Sequence, residues 1–149
     1  MTSGLSGLCG RNMAERVLFD VNVLLDVLES RQPHISESGP ALQLAASGRI
    51  KGFIAASSVD TLAFMIRRNA TSAQTNAVLE GLLEILEVAP VTGDIIRAAL
   101  KARWNDPEDA IIYHAALEAG CTRIVTRNVR DFRVGAGDIE VIPPEKLRE

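Results

Sequence analysis

Three short stretches of this 149-residue chain carry acids where packing alone has no use for them. In the first, Arg16 to Leu28, the apolar run Val17-Leu18-Phe19 stops at Asp20, and a helical pattern that Asn22 can cap follows at once. The second, Asn105-Asp106-Pro107-Glu108-Asp109, opens another helix, with Asp106 at the N-cap, Pro107 at the first helical position and acids in the first turn. The third follows the apolar run that ends at Thr126 and holds Asn128 and Asp131. Charge in a core is expensive unless it is paired or binds a metal, whereas the carboxyl edge of a parallel sheet is where α/β proteins place ligands. If the three stretches meet at such an edge, their carboxylates repel one another unless a cation sits among them, and oxygen-only ligands suit Mg²⁺ or Mn²⁺. A site of that kind, with positions open for water and phosphate, performs metal-assisted phosphodiester hydrolysis.

The elements that would position these residues can be read in order. Strands are expected at Val17–Phe19, Lys51–Ala55, Ile85–Ala89 and Thr122–Thr126, with a last edge strand at Glu140–Ile142 stopped by Pro143-Pro144. Helices are expected from the Asn22 cap to about Ser30, over 38–48 with Pro40 in the first turn, from a Ser57 or Ser58 cap to Arg67-Arg68, over 72–86, over 93–104, and from Asp106 to Gly120. Strands that alternate with helices require crossover connections, so the sheet is mostly parallel and flanked by helices.

Composition agrees with one domain of this kind. Hydrophobic residues make up 47% and charged residues 23%, and with aromatics at only 4% the core must come from Ala, Leu, Val and Ile. The net charge of −3 gives no global basic footprint for nucleic acid, an objection that weakens if the acids converge on a divalent cation. Cys9 and Cys121 have no metal-type spacing and argue against a disulfide framework, which points to a reducing, cytoplasmic setting, and no apolar run approaches the roughly 20 residues of a membrane helix. Residues 1–12 are Gly/Ser-rich without an apolar signal core, and read as a disordered extension ahead of a single domain over 13–149.

The segments Phe-Asp-Val-Asn-Val-Leu-Leu-Asp (19–26), Pro-Glu-Asp-Ala-Ile-Ile-Tyr-His-Ala-Ala (107–116) and Ile-Val-Thr-Arg-Asn-Val-Arg-Asp-Phe (124–132) resemble the three signature blocks of PIN domains, in the family's order and at about its spacing. The resemblance covers Val17 to Ile142. It implies a three-layer α/β/α domain and a metal-dependent endoribonuclease, and many bacterial and archaeal PIN proteins are VapC-type toxins held inactive by a cognate antitoxin. It also implies an RNA substrate, Mg²⁺ or Mn²⁺ as cofactor, and a homodimer, for which the apolar helix faces between 57 and 86 could serve. By position, Asp20 matches the first metal-binding acid and Asp109 the third, Asn22 orders the first turn, and Thr126 is the hydroxyl beside the site. Two positions depart from the pattern: Thr61 stands where the family usually has a glutamate, with Asp60 adjacent but about 100° round the helix, and Asn128 stands at the fourth acid position with Asp131 nearby.

Each residue has a plainer reading beside this one. Asp20 and Asp106 can be helix caps, Asp109 a first-turn acid that complements the helix dipole, and Asp26 a residue of the site's rim or of the solvent face. Arg127 and Arg130, with Arg67, Arg68 and Arg133, can line a phosphate track or simply be solvated. His114 reads as a packed or surface side chain. The competing function is a catalytically weakened PIN-fold module that binds RNA or protein without cutting. Two other α/β classes also end strand one in Asp, but haloacid-dehalogenase-like domains need an acid where Asn22 stands, and receiver domains need an acidic pair and a late lysine that are not evident.

Overall fold

The computed structural model describes residues 14–135 and 137–148, so the expected extension over 1–12 lies outside the described residues. Five strands, β1 (Arg16–Phe19), β2 (Lys51–Ala55), β3 (Leu86–Ala89), β4 (Arg123–Val125) and β5 (Glu140–Ile142), form one sheet in the order β3-β2-β1-β4-β5. Every pairing is parallel. Six α-helices flank it: α1 (Val21–Leu28), α2 (Ile35–Ala46), α3 (Ala56–Arg67), α4 (Ser72–Leu82), α5 (Gly93–Lys101) and α6 (Pro107–Glu118).

Alternation along the strands divides the core. Val17 and Phe19 of β1, Ile54 of β2 and Val125 of β4 pack with Val23 and Leu24 of α1, Leu42 of α2, Leu62 of α3 and Leu82 of α4. Leu18, Phe53 and Ile124 pack on the opposite face with Ile95 of α5 and Ile112, Ala115 and Ala116 of α6. Successive strand residues point to opposite faces, so a strand covered on both reads as an unbroken apolar run. The expected three-layer α/β/α sandwich is what forms.

Several boundaries move for identifiable reasons. Helix α1 is capped by Asp20, whose Oδ1 accepts the Val21 amide at 2.8 Å, so Asn22 lies inside the first turn and does not cap. Pro40 sits inside α2, because the helix gains a turn that starts with short-range bonds, the Glu37 amide reaching the His34 carbonyl at 3.0 Å. Helix α3 begins directly from β2 with Ala55 at its N-cap and no side-chain cap, which displaces the serine cap expected at Ser57 or Ser58. Helix α4 starts with a reciprocal capping box between Thr71 and Gln74 and stops at Leu82, and α5 stops at Lys101, before Arg103 turns to a φ of 59°.

Chain direction fixes where a site can be. From β1 the chain builds outward through β2 to β3, then returns to the other side of β1 with β4 and β5, so the order reverses between β1 and β4. Open parallel sheets hold their ligands at the carboxyl ends of the strands on either side of such a reversal. Asp20 follows β1 and Thr126 follows β4.

Close packing under the sheet is tightest at Gly52, where an added Cβ would lie 2.5 Å from Leu86 Cδ2 and 2.9 Å from Ala45 Cβ. Leu86 and Ala45 are both buried and neither can withdraw freely. Gly52→Ala is therefore expected to lower unfolding free energy by about 1–3 kcal/mol, read as a lower urea midpoint at unchanged slope; an unchanged midpoint would show that the layer has slack there.

Candidate active site

At the reversal between β1 and β4, two chain ends are locked together. Thr126, fully buried, donates from Oγ1 to Asp20 Oδ2 at 2.7 Å and accepts the Asn128 amide at 3.0 Å. Asn22 donates from Nδ2 to the same Asp20 oxygen at 3.3 Å, lies 3.4 Å from Thr126 Oγ1, and accepts the Arg127 amide on its Oδ1 at 3.2 Å. The residues flagged as supporters, Asn22 and Thr126, thus aim the Asp20 carboxylate and shape the 126–128 turn. The cap on α1 and the bond to Thr126 use one oxygen each. Asp20 therefore ends the strand, caps the helix and faces the cavity at once.

A cavity of about 350 Å³ opens at this edge, and Asp20, Asp109, Asn128, Asp131 and Thr61 all line it. Helix α6 brings Asp109 in on its first turn, behind the Asp106 cap whose Oδ1 accepts the Glu108 amide at 2.9 Å. Helix α3 brings Thr61, whose Oγ1 donates to Glu108 Oε2 at 3.3 Å. Asp60, one residue earlier, is exposed and outside the cavity, as the helical offset requires. The turn after β4 presents Asn128 and, three residues later, Asp131, whose amide bonds back to the Asn128 carbonyl at 3.0 Å.

The electrostatics are those of carboxylates held close without a counter-ion. Burial pushes Asp109 up to about 7, helped by the charges of Asp106, Asp20, Asp131 and Glu108. Burial also raises Asp20, only partly offset by the Thr126 and Val21 hydrogen bonds and reinforced by Glu108 and Asp131. No side-chain or backbone donor among the described residues reaches the Asp109 carboxylate. A cation is the simplest partner for such a set, since it favours the ionised form of every acid around it. Among the described residues no three potential ligand side chains close into a ready cage. The donors that line the cavity are carboxylate, amide and hydroxyl oxygens, the ligand type that suits a hard divalent cation.

Two residues take places the sequence did not suggest. Asp26, expected at the rim, is 0% exposed and pairs with Arg127, whose Nε and Nη2 donate to its two oxygens at 2.8 and 3.1 Å; Ser38 Oγ adds a third bond at 2.8 Å. The Arg127 guanidinium, expected on a phosphate track, is turned into the fold to brace the turn that carries Thr126 and Asn128. Arg130 is exposed beside Asn128 and Asp131, Arg67 bonds Ser72, Arg68 bonds Met65, and the Arg133 side chain lies outside the described residues. Glu108 and Arg31 line the cavity and escaped the sequence reading. Glu108 is adjacent to Asp109, which was its one signal, and Arg31 sits in a polar loop that gave none. His114 bonds the Ala110 carbonyl and meets Tyr113 edge-on, so it takes the packed place of the packed and surface places open to it, and Cys121 is buried with its thiol pushed up to about 12.

A PIN domain family model matches residues 16–130, most of the chain. The chain belongs to the PIN domain family. Among curated proteins it is similar to Ribonuclease VapC1 of Aquifex aeolicus, 22% identical over 141 residues that cover 91% of this chain and 95% of the relative. Among solved structures it is similar to a toxin-antitoxin complex from Klebsiella pneumoniae, with a TM-score of 0.66 and 22% identity over 88% of this chain and 99% of that one. The Mycobacterium tuberculosis toxin VapC20, described as cleaving the sarcin-ricin loop, matches with a TM-score of 0.64 and 13% identity over 83% of this chain and 98% of that one. At these identities the solved structures speak for the fold alone, and the family rests on the model match over residues 16–130.

The Asp26–Arg127 pair allows a direct test of what braces the turn. Removing one partner of a buried pair leaves a charge uncompensated and costs about 3–5 kcal/mol, whereas replacing both with apolar residues of similar size can be neutral. Arg127→Met alone, which leaves fully buried Asp26 without its cation, is expected to lower the urea midpoint sharply, and Asp26→Leu with Arg127→Met to recover much of it. Equal losses in the single and double variants would show that the pair itself does not brace the fold.

Proposed function

We propose that this PIN domain is a metal-dependent endoribonuclease that hydrolyses RNA phosphodiester bonds, and that it is the toxin of a type II toxin-antitoxin pair. The observation that carries the reading is the meeting of Asp20, Asp109, Asn128 and Asp131 in one cavity at the sheet reversal, with Asp109 lifted to about 7 by burial and, after it, by its acidic neighbours. Asp20 and Asp109 would hold Mg²⁺ or Mn²⁺, with Asn128 and Asp131 completing the site. When bound, the ion supplies a polarised water and stabilises charge on the phosphate. The protein contributes alignment: Thr126 and Asn22 fix the Asp20 carboxylate, and the Asp26–Arg127 brace fixes the turn that presents Asn128. The reaction those residues would align is an in-line displacement, in which a P–O bond to water forms as the bridging P–O bond breaks. Arg130, exposed beside Asn128, is suited to the RNA backbone.

The partner and the assembly follow the same reading. The similar structure from Klebsiella pneumoniae is a toxin-antitoxin complex, and a cognate antitoxin is the partner we infer for this chain. A homodimer through the α3 and α4 faces agrees with Phe64 of α3, which is 69% exposed. No helix among the described residues is long and apolar enough to cross a membrane, and the reading places the protein in the cytoplasm.

One observation favours a second reading, a PIN-fold module that binds RNA or protein with cleavage weakened. Helix α3 contributes a hydroxyl, Thr61, and no carboxylate to the cavity.

Purified protein is expected to cut a mixed RNA pool with Mg²⁺ or Mn²⁺ and to stop in EDTA. Asp20→Asn and Asp109→Asn should each reduce cleavage at least a hundredfold while leaving the circular dichroism spectrum unchanged. Folded wild type that is inert with every metal would give the ground to the binding module. Thr61→Glu then separates the causes: a large gain in cleavage marks a site limited by the missing acid, and no gain removes Thr61 as the limiting residue.

A further inference from the structure

Among the described residues, five acids and one cation line the candidate active site, and the cation is Arg31. We propose that Arg31 binds the substrate's phosphate backbone at the wall of this cavity, an inference that rests on the ribonuclease reading above. RNA brings a negative charge into a cavity already lined with carboxylates, so binding needs positive charge beyond the ion that the acids themselves would neutralise. Of the other arginines near the site, Arg127 is less suited to that task because its guanidinium pairs with fully buried Asp26, and Arg130 lies beside Asn128 but outside the cavity, where it can meet only the RNA beyond it. Arg31 is differently placed. Its side chain is 35% exposed and its partner Glu29 is 29% exposed, with Arg31 Nε and Nη2 at 3.0 and 2.8 Å from one Glu29 oxygen.

A half-exposed pair of this kind is worth little and exchanges readily, and a planar guanidinium that holds a single carboxylate oxygen keeps donors for a phosphate. Arg31 pairs with Glu29 and not with an acid of the cavity. The backbone of Arg31 is held on both sides, its amide by the Asp26 carbonyl and its carbonyl by the Ile35 amide, each at 2.8 Å. The Asp26 that braces the turn after β4 through its side chain therefore anchors Arg31 through its main chain, so the backbone from which the guanidinium reaches is fixed relative to that turn while the guanidinium itself stays free to exchange partners.

The test uses the full chain and a fluorescein-labelled single-stranded RNA pool. Cleavage is measured with wild type, Arg31→Ala, Arg31→Gln and Arg31→Lys. Binding is measured by anisotropy against salt, with the same Arg31 substitutions in an Asp109→Asn background that leaves the RNA uncut. Arg97→Ala, which removes an exposed arginine paired with Asp94 on α5, is the control. Loss of Arg31 is expected to lower kcat/KM at least tenfold and to make the slope of log affinity against log salt shallower by about 0.7, the share of one phosphate contact. Arg31→Lys should keep the slope and recover part of the rate, and Arg97→Ala should change neither. A merely structural role would not move the salt slope, and Arg31→Gln, which keeps the stem, covers the case in which Arg31→Ala does not fold. Wild type that cuts while Arg31→Ala and Arg31→Gln cut equally well at an unchanged slope overturns the role of Arg31 and leaves the nuclease standing. Wild type that neither binds nor cuts overturns both.

Discussion

The hydrogen bond from Thr126 to Asp20 spans the point at which the sheet reverses its order, and the arrangement of the candidate site depends on it. Both residues follow directly on strands, and the Asp20 amide bonds the Val125 carbonyl at 2.9 Å, so the bond extends the β1–β4 pairing by one side-chain step. A carboxylate in that position would otherwise be a buried charge with too few partners. With Thr126, Asn22 and the Val21 amide around it, Asp20 is oriented but not neutralised. Its ionised form is favoured by dipoles and disfavoured by burial, and the balance lies with burial. A fixed, only partly satisfied carboxylate is a poor way to stabilise a fold and a good way to hold an ion.

Around that bond the chain sorts its charges into two kinds. Asp26 and Arg127 form a bidentate pair that spans α1 and the turn after β4, with Ser38 of α2 as a third member, and both oxygens of Asp26 are taken up within it. Glu15 and Arg123 do comparable work at the opposite end of the sheet, where the pairing holds the Glu15 carboxyl below the usual range. Asp106, Glu108, Asp109 and Asp131 are the reverse case, acids whose mutual repulsion is tolerated. The charges of the other three add to burial in raising Asp109, and the N-terminus of α6 offsets only part of that. Paired charges brace the site, and unpaired ones face the cavity.

This division explains what could be read in the sequence. Asp20, Asp109, Asn128 and Asp131 were legible because each interrupts a pattern: an apolar strand that ends in an acid, a proline-opened helix with acids in its first turn, a polar turn after a buried run. The alternating strands and helices that fix the parallel sheet were legible for the same reason, through periodicity. Asp26 and Arg127 were misread because each looks like an ordinary surface charge in its own segment, and only the approach of α1 to the 126–128 turn pairs them. Arg31 was missed for the same cause, since a loop arginine acquires meaning only from what the fold places opposite it. The Asn22 cap was misread by two positions because an aspartate that ends a strand can also begin the helix, and nothing local says which residue does so.

Thr61 shows how far a single position can be changed without disturbing this arrangement. A carboxylate there would enter a cavity that already holds five acids, and its desolvation and repulsion would fall on Asp20 and Asp109, both already raised. A hydroxyl avoids that cost and still finds a partner, since Thr61 bonds Glu108 from across the cavity. The same exchange removes one potential ligand, so the resting site gains stability where a loaded site loses grip. Glu108 is the residue on which the two effects meet. It faces α3 from the first turn of α6, its charge acts on both principal acids, and its carboxylate accepts a long hydrogen bond from Thr61 at 3.3 Å. The fold therefore keeps negative charge between α3 and α6 even though the helix that faces the site supplies none, and the strength of the site is set by the helix that supplies Asp109.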